Sequence, residues 1–238
     1  MILRALHRTS AILIVAFASV HIANHLVSLS SVASHIAFME LARKIYRDPY
    51  VESVLLSGVA FQIVSGLWLF IRGWQARQGR IAWLQAASGA YLAFFLLVHV
   101  GAVLFGRAVL NLDTNFYFAA AGLHVPPNQF FFAPYYFFAI VALFTHVGCA
   151  AYWKFRAHSR VIRMLALALP MAFGGVVALL IVLSLAGMVK PFEVPAKYKA
   201  TYGQTDVIPL YGAILGPVHS LIVQSTMAQM MHEQVVHG

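Results

Sequence analysis

Long apolar stretches separated by short polar ones dominate the chain, and this pattern predicts membrane-crossing helices. The stretches cover residues 10–31, about Val51 to Ile71, 81–105, 132–153 and 164–188. Each is near the roughly 20 apolar residues that a helix needs to cross a hydrocarbon core. None shows the strict alternation of a barrel strand. Between the first two, SHIAFMELARKIYRDPYVE mixes both signs of charge and predicts a short interfacial helix broken before Pro49. A long loop, Arg107 to Phe131, is poor in Lys and Arg. Residues 207–231 carry no charge and are long enough for a sixth span. Pro209, Pro217, Gln224, Ser225 and Gln229 within them favour an interfacial or docked helix instead. The expected fold is therefore all-α, a polytopic transmembrane helical bundle over residues 1–190. An extracytoplasmic or interfacial segment, 191–238, follows it.

Composition strengthens this reading. Hydrophobic residues make up 61% of the chain and charged residues 10%, against about a quarter charged in an ordinary soluble domain. A formal charge of +9 raises the question of nucleic acid until the basic residues are located. Arg4 and Arg8 precede span one, Arg72, Arg77 and Arg80 follow span two, and Lys154, Arg156, Arg160 and Arg163 follow span four. By the positive-inside bias those ends are cytoplasmic, so the amino terminus is inside, as in a bacterial inner-membrane protein. No nucleic-acid partner is needed to explain the charge. The apolar run of the first segment is too long for a signal peptide, and it is kept as a span. One cysteine, Cys149, lies in a span and excludes a disulfide framework.

Histidines carry the candidate chemistry. Ser10 to Leu26 holds His21 and His25 one turn apart, and ionisable side chains within spans usually face the interior and mark a pathway or cofactor. With an offset of 78 residues this stretch recurs at Ser88 to Leu104: Ser10 falls on Ser88, Phe17 on Phe95 and His21 on His99. Spans one and three run in the same direction, so His21 and His99 lie at similar depth. Two imidazoles at one depth on facing helices suit the axial positions of a b-type haem iron. Ala18, Ala23, Gly101 and Ala102 leave room for a macrocycle. His146, in the inner half of span four, is too deep to share that iron.

Other readings stay open. His25 can replace His21 as ligand, contact a haem propionate, or shuttle a proton. Its spacing from His21 also suits copper or zinc, which would make this a membrane copper-binding protein. A haem-independent scaffold or lipid-homeostasis protein needs these histidines only for interhelical hydrogen bonds. Arg43, Lys44 and Arg47 are candidates to neutralise propionates, and His25, Glu40 and Glu52 to admit protons. Phe130 to Phe138 reads as an interfacial aromatic belt, and Gly174, Gly175 and Gly187 as close-packing positions. No nucleotide loop, metalloprotease helix or hydrolase turn is present.

His7-Arg8-Thr9-Ser10-Ala11 resembles the His-Arg-x-Ser-Gly signature opening the membrane cytochrome b subunits of succinate dehydrogenase and fumarate reductase. Trp83 to Gly89 leading to Val98-His99, and Phe144-Thr145-His146-Val147-Gly148, resemble spans three and four of the fused, five-span, two-haem members. The resemblance implies haem b held by His21 and His99 toward the outer face, and a second haem at a span-two histidine and His146. Gln62 stands where the pattern has that histidine, leaving the inner haem without one ligand. It also implies a quinone as redox partner, with His7, Arg8 and Ser10 lining an inner quinone site; the alternative for these three is a topology anchor and helix cap. The chain has no flavin or iron–sulphur site of its own, so dehydrogenase activity would come from a soluble partner subunit. Arg43 to Leu67 resembles a second family, small mitochondrial membrane proteins with the same histidine scaffold, which implies a stand-alone haem protein.

Overall fold

The structure is a computed structural model, and the residues it describes are 2–203. Five helices, α1 (Ile2–Val27), α3 (Pro49–Arg72), α4 (Arg80–Ala108), α6 (Gln129–Lys154) and α7 (Arg160–Leu185), are long and apolar enough to cross a membrane. Three shorter ones are α2 (Val32–Tyr46), α5 (Phe116–Ala121) and α8 (Ala196–Gly203). No strand occurs among the described residues, and the protein is an all-α integral membrane bundle. Its compact unit runs to Pro195, and α8 opens a second unit. The candidate sixth span, 207–231, lies outside the described residues.

Polar side chains fix the helix ends and move several predicted bounds. Span one starts at Ile2, not Ser10, because the Ser10 hydroxyl donates to the Leu6 carbonyl at 2.8 Å within an existing turn. Ser10 is thus not a helix cap. The helix stops at Val27, and Ser31 starts the next one by accepting the Ser34 amide at 2.9 Å. Asp48 caps α3 by accepting the amides of Tyr50 and Val51 at 3.0 and 3.3 Å. Pro49 then sits in the first turn, where its missing donor costs nothing. The interfacial helix broken before Pro49 is α2. Within the predicted loop, Asn115 caps the short α5, accepting the Tyr117 amide at 3.0 Å.

The spans pack in the order α1, α3, α4, α6, α7, with α7 returning to touch α1 lightly. Helices α6 and α7 form the tightest pair, and small residues explain why. A Cβ on Gly174 would stand 2.5 Å from Phe144 Cβ, and one on Gly148 would stand 2.9 Å from the Leu167 carbonyl. Gly175 faces open space, and Gly187 instead supplies a positive φ of 73° after α7. Only 6% of the apolar window of α1 or α3 is buried, against 28% in α6 and α7. Helices α1 and α4 are not among the closely packed pairs. They face each other across the middle of the bundle.

The aromatic run is not wholly an interfacial belt. Phe130 is 75% exposed and Phe138 52%, but Phe132 and Tyr135 are buried. The helical period turns Phe132 and Tyr135 inward, and the Tyr135 ring meets Phe95 at 4.8 Å.

Candidate functional site

The two halves of the internal repeat make equivalent contacts. Phe17 lies one turn before His21, their rings 5.9 Å apart and 13° from parallel; Phe95 stacks on His99 at 4.9 Å and 12°. An (i, i+4) pair shares a helix face, so each phenyl braces the imidazole that follows it. The serines match as well. Ser10 accepts the Gln62 amide from α3 at 2.6 Å, and Ser88 meets His146 Nδ1 from α6 at 3.3 Å. Gln62 therefore stands to Ser10 as His146 stands to Ser88.

His21 on α1 and His99 on α4 meet across the bundle with ring centroids 6.0 Å apart and planes at 62°. Two metal–nitrogen bonds of about 2 Å, plus the ring radius on each side, require a centroid separation of about 6 Å. By separation alone, the pair could hold a haem iron between them. The helices bearing these histidines are not among the closely packed pairs, so the contact is made by the imidazoles themselves.

The cluster extends beyond the expected residues. His25 meets His21 edge-on at 4.8 Å, and His35 on α2 meets His25 at 5.1 Å. His35 is 2% exposed, lies against Phe116 of α5 at 5.1 Å, and shares the buried face of α2 with Met39 and Arg43. Burial, then the charges of His21 and Arg43, pushes the His35 imidazole down to about 4, so it is neutral at pH 7. His25 Nδ1 and both ring nitrogens of His35 are buried without a hydrogen-bond partner. Sequence reasoning missed His35 because the linker looked like a solvated face. Its i, i+4, i+8 spacing with Met39 and Arg43 was the available signal.

The remaining candidates are engaged elsewhere. His146 Nδ1 lies 3.0 Å from the Gln85 carbonyl, which can only accept, so Nδ1 carries the proton. His7 Nδ1 is 2.7 Å from Ser65 Oγ, while Gln62 also donates to the His7 carbonyl at 2.9 Å. His7 and Ser10 are thus brought together, by α3, with their bonding capacity largely used. Arg43 pairs with Glu40 at 2.7 Å and Asp113 at 2.8 Å. Burial opposes its charge, but the hydrogen bond and charge of Asp113 win and raise its pKa. Glu52 forms an ion pair with Arg107. Arg47 donates to Thr114 at 3.1 Å, and its pKa is lowered by burial and by Arg43 and Arg107. Lys44 is exposed.

Among the described residues, no three His, Cys, Asp or Glu side chains converge as ligands for a bare metal ion. Fold and site together define a polytopic helical membrane protein with a histidine cluster bridging α1, α2 and α4. No family model, curated protein or solved structure matches the chain.

Proposed function

We propose that this protein is a membrane-embedded b-type cytochrome in which His21 and His99 are the axial ligands of one haem. The observation that carries the reading is their 6.0 Å separation across two helices that are not packed together. When bound, the haem supplies a one-electron carrier. Phe17 and Phe95 hold the imidazole planes, and the apolar faces of α1 and α4 keep water from the site. The resemblance to the succinate dehydrogenase and fumarate reductase cytochromes supports a quinone as redox partner. It also supports a role as anchor of a soluble dehydrogenase, while the second resemblance supports a chain working alone. The basic residues at the ends of spans one, two and four support a cytoplasmic amino terminus in a bacterial inner membrane.

The haem-independent scaffold is favoured by one observation of its own. His7 and His146 make the interhelical bonds that reading requires, to Ser65 and to Gln85. The outer cluster does not fit it, since His25 Nδ1 and both His35 nitrogens are buried and unbonded. A reduced-minus-oxidised spectrum of protein purified from haem-replete membranes tests the cytochrome. An α-band that is lost in His99→Ala and kept in His146→Ala is expected. Absence of the band in the wild type, or the reverse pattern in the variants, overturns it.

A further inference from the structure

Haem b carries two carboxylates on short arms, and a haem in a bundle must place them where something hydrogen-bonds them. The basic residues nearest in sequence do not serve. Both terminal nitrogens of Arg43 are taken by Glu40 and Asp113, Arg47 reaches Thr114, and Lys44 faces away from the bundle interior.

Arg43 keeps one unpaired donor, its buried Nε, and the larger unused capacity lies with the pair of imidazoles leading away from His21. His25 is one ring contact from His21, and His35 one further contact toward the α2 side of the membrane. His25 and His35 thus lead ring by ring from the proposed ligand pair to α2. Between them these rings present three buried nitrogens with no partner, two on a side chain 98% buried (2% exposed). Leaving a buried polar nitrogen unbonded is costly, so such a cluster is built around a hydrogen-bonding group. Its apolar walls, Phe116 against His35 and Met39 on the same face of α2, exclude bulk water.

We propose that His35, with His25, hydrogen-bonds a haem carboxylate, so that α2 closes over one edge of the macrocycle. The inference rests on the cytochrome reading and adds a residue on a helix that supplies no iron ligand. A neutral imidazole gives one N–H to a carboxylate oxygen, and His25 Nδ1 gives a second.

The test uses the full chain and two probes, haem b and its dimethyl ester, in which both carboxylates are blocked. Release of each to an excess of apomyoglobin is followed by absorbance. Wild type should hold haem about tenfold longer than the ester. In His35→Leu that preference should collapse toward unity through faster haem release, while His35→Gln, which keeps a donor, should retain most of it. An unchanged preference in His35→Leu overturns the proposal and leaves the axial pair standing. Should His35→Leu not accumulate, His35→Ala and His25→Ala are read in the same way, and a full preference in the His25→Ala/His35→Ala double variant is equally fatal. A wild type that takes up neither pigment overturns the cytochrome reading itself.

Discussion

The phenyl ring of Phe95 lies 4.9 Å from the imidazole of His99 and 12° from parallel with it. The same relation joins Phe17 to His21 at 5.9 Å. A stacked partner one turn away limits rotation of the imidazole about its side-chain bonds, so these phenyls set the angle between the two ring planes. Phe95→Leu should keep the haem but release it about fivefold faster, since aromatic stacking contributes roughly 0.5–1.5 kcal/mol. Its low-spin electron paramagnetic resonance should also shift. Phe17→Leu, with the looser contact, should do less. Identical spectra in both variants would show that the phenyls do not orient the ligands.

Arg43 is 7% exposed and lies between two carboxylates. Removing one partner of a buried ion pair leaves the other uncompensated, at about 3–5 kcal/mol. Solvent around Glu40 and Asp113, 56% and 40% exposed, reduces this to about 2 kcal/mol. Arg43→Gln should therefore lower the thermal midpoint in detergent, and adding Asp113→Asn should recover part of it. Additive losses would mean that the pair does not tie α2 to the loop before α5.

Two glycines predict steric failures of different severity. A Cβ on Gly174 meets Phe144 Cβ, which is fixed by its backbone, whereas one on Gly89 meets the His146 ring at 2.9 Å, which can swing. Gly174→Ala should cost about 1–3 kcal/mol. Gly89→Ala should cost less but disturb the bond from His146 to Gln85. Circular dichroism melts of the two variants decide the order.

His35 gives a pH dependence with a definite sign in the haem-free chain. Its folded pKa of about 4 lies below the ordinary value of 6.5, so the unfolded chain binds its proton first as pH falls. Stability from this group is complete above about pH 6.5 and is lost as pH falls toward about 4. The groups acting on it are His21 and His25 from α1, and Arg43 on α2 itself. His35→Gln should flatten the fall in thermal midpoint across that window. An unchanged slope would assign it to another group.

The five spans were legible because a run of apolar residues is its own signal, and the His21–His99 pairing because an offset of 78 fixes equal depth. Helix ends were less legible, since Arg4 and Arg8 mark where the lipid stops and not where hydrogen bonding stops. His35 was hidden for a different reason. It stands in a charged, short helix whose inward face is defined only by what α1 and α5 place against it. Phe132 and Tyr135 likewise look like their exposed neighbours until the helix is turned. The dual use of Arg43 required Asp113, seventy residues away, and no local pattern announces such a partner.

Finally, α1 and α7 touch lightly, and near their ends the Ser28 and Ser184 hydroxyls lie 2.7 Å apart while Lys190 donates to the Ser30 carbonyl. Among neighbouring spans this is the sparsest seam, so parting α1 from α7 gives up less packing than parting any other adjacent pair.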